Sequence, residues 1–438
     1  MLTVRGIDRR PLTIPAFRRL WLASVVSAVG GSFSVVTVPA QLFALTGSSA
    51  TVGWSAAVSF PLLAFAALWA GSLADVVDRR RLLLVAHTGL AVTYTLLWMQ
   101  AATDLRSVTG LLILVGCQGL TYGAIMTTTG AVLPRVVPPD LLAAATSLSS
   151  LVRYTGAVLG PLLAGVLIPL VGAGTLYLFD AIALIAVLWA VFRLPPLPTL
   201  NQPDSRPATI PHLVAGFRLL AADRILPGVL AVDLAAMAFG MPAALFPELA
   251  THWGDSITLG TSSSGDARAL GLLYAAYPTG VFAIGLISGT FTRTSRPGTL
   301  MISAALVWGV AVILTGLAPN LWLTLAALGF GGAANFVLST CRNAITQAHP
   351  DDALRGRTQG TLTVVLIGGP QAATLLHGLA GSVLGTRWAI CLGGLLTVTT
   401  VATIAAFHPQ LRTYRDPAAE ADPERPPRSG RTGGLRTH

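Results

Sequence analysis

The chain has no lysine: its 28 basic residues, histidine aside, are all arginine. It has little charge of either sign. Charged residues make up 11% of 438 positions, where soluble domains carry about 25%. So few charges cannot cover the surface of a water-soluble fold of this length, which excludes that class. Cysteine is nearly absent. Cys117, Cys341 and Cys391 lie in apolar stretches and show neither metal-ligand spacing nor a disulfide framework, so they read as small core residues. No Gly-x4-Gly-Lys-Ser/Thr loop occurs, which argues against an ATP-driven motor. There is no nucleophile elbow and no intramembrane cluster of metal ligands. The sequence therefore leads us to expect no catalytic residue, no metal and no cofactor. A net charge of +10 can point to nucleic acid. Here the arginines fall between apolar runs rather than on one polar face, and no nucleic-acid partner is expected.

What is present is apolar: 53% of residues are hydrophobic and the mean hydropathy is +0.70. A helix needs roughly 20 such residues to cross the hydrocarbon of a bilayer. Twelve runs qualify, at 20–46, 50–74, 82–102, 107–133, 142–169, 173–193, 225–249, 268–291, 299–318, 321–345, 358–384 and 387–407. Continuous runs oppose a β-barrel, whose strands alternate over about ten residues. The 45 glycines suit close helix–helix contact. No small-residue cleavage site follows a short apolar core near the N-terminus, so the first run reads as a retained span. The predicted fold is an all-α, multi-pass integral membrane protein with the lipid bilayer as its solvent.

With twelve spans both termini share a side. That side collects 24 arginines, Arg342 among them, against three on the other, Arg106, Arg268 and Arg387; Arg153 falls inside a span. Arginine marks the cytoplasmic face, so both termini are expected there, with the chain in the inner (plasma) membrane. The longest internal polar stretch, 194–224, opens with a proline-rich segment that opposes a stable helix. It divides the chain into a six-span half at 1–193 and another at 225–408, followed by a tail at 409–438 with a disordered composition. PRVVPPDLLAAA at 134–145 and TQAHPDDALRGR at 346–357 both place Pro-Asp before the next span, one in each half. Such internal echoes point to a transporter with its site between pseudo-symmetric halves.

One loop carries the most specific pattern. Gly71-Ser-Leu-Ala-Asp75-Val-Val-Asp78-Arg79-Arg80-Arg81, between spans two and three, resembles the signature loop of the major facilitator superfamily. FRRLWLASVVSAVGGSF and LPRVVPPDLLAAATSL are similar to the branch that holds enterobactin exporters and macrolide or multidrug efflux proteins, and the likeness covers about 14–408. It implies the major facilitator fold of two six-helix halves and export of a small hydrophobic molecule, a drug, antibiotic or siderophore, by proton antiport. A monomer with protons and a small molecule as its partners is expected. It also implies that Gly71, Asp75, Asp78 and Arg79 to Arg81 form a latch between two states. Physically, Asp75 can accept from the N-terminus of a neighbouring helix or pair with an arginine, a contact made only while that side is closed. The alternative is that Asp75 and Asp78 cap a turn. The second half departs from the pattern, with Arg293 and Arg296 where the first has the aspartates.

On span five, Gly156, Gly160, Pro161 and Gly165 resemble the antiporter motif of drug/proton exchangers, with Ala164 replacing one glycine. Glycines four apart share a helix face and let another backbone approach; Gly160-Pro161 is expected to bend the helix where it packs on the other half. The alternative is generic helix packing. In span four, Val115 stands where proton-coupled exporters often have an arginine.

A charge at the bilayer centre costs roughly 2.5–3.5 kcal/mol, which makes intramembrane ions functional candidates. Asp233 on span seven ranks first as proton carrier or cargo partner. Asp180 reads as a structural partner, Arg153 as a counter-charge or anion group, and Glu248 as a further acid near the outer end of span seven. A buried structural ion pair is the competing account of each. His87 and His377, lone histidines in spans three and eleven, read as satisfied core imidazoles, with a proton relay as the alternative. Phe33, Tyr122, Phe239, Tyr274 and Phe336 are candidate cavity aromatics, with helix packing as the alternative. Two rivals to export are import of a nutrient solute on the same fold and a membrane-embedded enzyme; no pair of catalytic groups at an interface favours the latter.

Overall fold

In a computed structural model of the chain, residues 8–74, 77–195, 225–253, 262–287, 296–348 and 352–414 are described, together with 218, 223 and 294. Asp75, Arg293, the second Pro-Asp loop, nearly all of the linker and the tail beyond 414 lie outside the described residues. Side chains are described in the helix that follows that loop only from 368 onward.

Every described element is helical. The long helices are α1 (Pro15–Gly30), α2 (Ser34–Thr46), α3 (Ser49–Leu73), α4 (Arg79–Ala102), α5 (Val108–Val136) and α6 (Leu142–Phe192). After the linker come α7 (Leu226–Gly240), α8 (Phe246–Trp253), α9 (Ser262–Leu286), α10 (Pro297–Leu317), α11 (Leu321–Ala348), α12 (Asp352–Leu384), α13 (Thr386–Phe407) and the short α14 (Pro409–Thr413). Among the described residues, nine stretches are long and apolar enough to cross a membrane. The two arms of α6 count once among these, although the chain turns between them. Gly172 there has φ 79° and ψ 154°, a conformation that a side chain would strain. With that turn, the split first span and α12, the helices account for twelve passes.

Two spans expected to be continuous are broken. The first stops at Gly30 and restarts at Ser34. The seventh stops at Gly240, passes through Met241 and Pro242, and resumes as a 3-10 turn and α8. Pro242 lacks an N–H and pushes Met241 out of the helical region. Broken helices within a bundle are tolerated where neighbours supply hydrogen bonds. One apolar core gathers Leu42, Leu97, Leu111 and Tyr177 from the first six passes. The larger core gathers Trp308, Met301, Leu273 and Leu249, and extends to Phe33 and Leu176 across the midline.

Two seams join 8–195 to 225–414: α3 packs on α12, and the first arm of α6 on α9. At the first, a Cβ on Gly378 would stand 2.7 Å from the Gly53 Cα and 2.6 Å from the Ser49 carbonyl. At the second, a Cβ on Gly271 would stand 2.5 Å from the Pro161 carbonyl and 2.8 Å from the Gly165 Cα. Backbone approaches this close need glycine on both sides. Both seams lie toward the end of the bundle opposite the termini, where α3 begins.

Candidate transport pathway and its polar sites

Asp233 sits at the middle of α7 with its side chain 1% exposed. Arg342, about two turns before the end of α11, reaches it: Nη1 donates to Oδ1 at 2.8 Å and to Oδ2 at 2.9 Å. The rest of the guanidinium is held by its neighbour, with Nε and Nη2 donating to the Asn343 Oδ1 at 3.3 and 3.1 Å. Arg342 is therefore a buried partner, not one of the free cytoplasmic charges it was counted among. Around the pair stand Tyr277, which donates to the Asn335 side chain at 3.0 Å, and Trp308, whose indole lies 5.6 Å from the Tyr277 ring. The Trp308 Nε1 donates to the Ala236 carbonyl at 2.9 Å, which ties α10 to α7.

Asp180, on the second arm of α6, is fully buried and accepts from the backbone N–H groups of Phe33 at 3.3 Å and Ser34 at 2.8 Å. It caps α2 where the first span restarts, so the break and the buried acid explain each other. Ser34 donates onward to the Tyr94 hydroxyl at 3.2 Å, and Gln118 approaches both at 3.4 and 3.5 Å. One polar network thus ties spans one, three, four and six.

In the signature loop, Asp78 caps α4 by accepting from the Arg80 N–H at 2.8 Å. Arg80 donates to the Phe192 carbonyl at 2.6 Å and lies 5.2 Å above the Phe192 ring, and the Arg79 Nε donates to the Ala74 carbonyl at 3.3 Å. These contacts stay within the first six passes. Gly71 is half-buried, its Cβ direction facing Thr127, and Arg81 is exposed.

The span-five motif presents two faces. Gly156 and Gly160 back onto Ala28 and Ser32 of the first span, in the same half, whereas Pro161 and Gly165 face Gly271 in the other. The expectation that Gly160 itself packs across the halves is corrected: the helix turns by about 100° per residue, which points positions 160 and 161 at different neighbours.

Arg153 is exposed and lies 5.2 Å from the Tyr154 ring. Tyr122 is exposed. Phe33 is buried in the core, 6.5 Å from Phe179. Tyr274 donates to the Ala243 carbonyl at 3.1 Å and packs edge-on against Phe246. Phe336 is half-buried against Gly285. Phe239 lines a cavity of about 140 Å³ with His377. The His87 Nδ1 lies 2.8 Å from the Leu83 carbonyl. His377 corrects the reading of a satisfied imidazole: its Nδ1 must donate to the Ala373 carbonyl at 3.0 Å, and its buried Nε2 has no partner among the described residues. Glu248, on α8, accepts from the Ser49 hydroxyl at the start of α3. Among the described residues no cluster of metal-ligating side chains forms.

A family model described as a transmembrane secretion effector matches residues 9–427. The chain belongs to that family. Enterobactin exporter EntS of Shigella boydii serotype 18 (strain CDC 3083-94 / BS512) is 29% identical over 406 residues, 92% of this chain and 94% of the relative. The protein of the same name from Escherichia coli O139:H28 (strain E24377A / ETEC) matches to the same extent. Among solved structures, the nucleoside transporter NupG aligns with a TM-score of 0.71 at 14% identity, covering 91% of this chain and 100% of its own. A bacterial homologue of the iron transporter ferroportin in an inward-facing state gives 0.65 at 15% identity, covering 91% and 99%. These likenesses show the major facilitator fold. This transmembrane secretion effector is a multi-pass membrane transporter of small molecules.

Sequence reasoning missed Arg342, Asn335, Tyr277 and Trp308. Arg342 lay within a predicted span and could have been matched to Asp233 as its buried counter-charge.

Proposed function

We propose that this protein exports a small lipophilic or siderophore-type molecule by proton antiport across the inner membrane, with both termini in the cytoplasm. The similarity to enterobactin exporters along 92% of the chain carries the reading of cargo and direction. The coupling element is the Asp233–Arg342 pair. While Asp233 is ionised, Arg342 holds it and draws α7 onto α11. A proton on Asp233 removes that attraction, and the break at Met241–Pro242 gives α7 freedom to shift. Protonation thereby biases two arrangements of the halves, which is what exchange of a proton for cargo requires. On the cytoplasmic side Asp75 is the latch that engages when that face closes. Neither role calls for enzyme chemistry.

The test uses inside-out vesicles carrying the full-length protein, with an acid interior and a siderophore or lipophilic dye outside. Uptake driven by the proton gradient and abolished by an uncoupler is expected for the wild type. Asp233→Asn should lose the drive yet still equilibrate cargo down its own gradient. Asp75→Asn should transport poorly while inserting normally. Gradient-driven uptake that persists in Asp233→Asn would make the pair purely structural, and a wild type that moves no cargo outward would remove the export reading.

A further inference from the structure

Ser49 is 1% exposed and stands at the first position of α3. Three groups of the other half meet it: the Gly378 backbone, Gly381 and the Glu248 carboxylate. Its hydroxyl donates to Glu248 instead of capping its own helix. The carboxylate of one half thus sits at the N-terminus of a helix in the other, where unpaired N–H groups and the helix dipole favour a negative charge. The Gly53–Gly378 approach lies one turn further along the same face of α3. A rocking motion that opened this end would part all of these contacts together.

We propose that Glu248 is a positioning residue that holds the pathway shut at the end opposite the termini, as an outer latch closed by Ser49. It rests on the reading of the chain as an alternating-access transporter. The signature loop and Glu248 then occupy opposite ends of the bundle, and each can engage only when its own end is closed. Glu248 acts through α3 and touches no cargo.

The experiment reads the gate without cargo or a proton gradient, so its failure is separate from failure of the export reading. Ala56 lies on the seam face of α3, seven residues after Ser49, and is 3% exposed. Ala56→Cys is made in a background carrying Cys117→Ser, Cys341→Ser and Cys391→Ser, and its labelling by a maleimide is timed on purified full-length protein. Glu248→Ala and Ser49→Ala should each speed labelling roughly tenfold, the effect of losing a charge-assisted hydrogen bond. The double variant should be no faster than the faster single one. Thr251→Ala, an exposed change on the same helix, should leave the rate alone. Unchanged labelling in both single variants, with helicity and elution intact, overturns the latch; so does a double variant whose effects multiply.

Discussion

Arg342→Met should damage the fold more than Arg342→Met combined with Asp233→Leu. The guanidinium makes two bonds of 2.8 and 2.9 Å to a carboxylate whose own side chain is 1% exposed. Removing the cation alone leaves a buried carboxylate without a counter-charge, about 10 Å from the end of its helix. Breaking a buried pair on one side costs about 3–5 kcal/mol, whereas replacing both members with apolar groups of similar volume is near neutral or stabilising. The single variant should therefore lose about 3–5 kcal/mol. The double variant should recover most of it and still fail to couple cargo to protons. Unfolding in mixed micelles with rising SDS, followed by helicity, measures the first difference, and gradient-driven uptake measures the second. A single variant within about 1 kcal/mol of wild type would refute the reasoning, because the carboxylate would then have a second partner or be uncharged in the folded protein.

The seams and caps yield further expectations. Gly271→Leu should drive a side chain into the Pro161 carbonyl and Gly165, so cells expressing it should retain more of an exported dye, by the 1–3 kcal/mol typical of overpacking. Gly160→Leu should instead wedge the first arm of α6 from the first span inside one half, lowering resistance to SDS unfolding before it changes the labelling of seam cysteines. Asp180→Leu should cost about 1–3 kcal/mol by leaving the Phe33 and Ser34 N–H groups buried and unpaired, with Asp180→Asn milder because its amide oxygen still accepts; SDS unfolding ranks the two.

The spans were legible because hydrocarbon demands long apolar runs and tolerates few charges, so helix existence follows from composition alone. The boundary between α3, which ends at Leu73, and α4, which begins at Arg79, was legible for the same reason. What local pattern does not contain is the identity of partners across the bundle. Asp233 and Arg342 are 109 residues apart; each segment marks a charge inside an apolar run, and only opposite sign, not local pattern, suggests that the two meet. The break in the first span was hidden because Gly31 and Ser32 sit in an apolar run that scores as continuous, and its cause lies 147 residues on, in Asp180. Gly160 was assigned to the right helix and the wrong neighbour, since a four-residue spacing defines a face but not what it meets.

That long reach from Asp180 back to the first span bears on how the molecule is made. Spans enter the bilayer in order from the ribosome, and the first arrives with the amides of Phe33 and Ser34 bare. Their acceptor leaves the tunnel only after five spans have been synthesised. Until then the first span has an uncapped interruption inside hydrocarbon, where each unsatisfied group costs several kcal/mol. The first half can become native only when its sixth span inserts. Chains truncated before Leu176 and released should accordingly be held by insertion chaperones or degraded, and those truncated after Arg193 and released should persist.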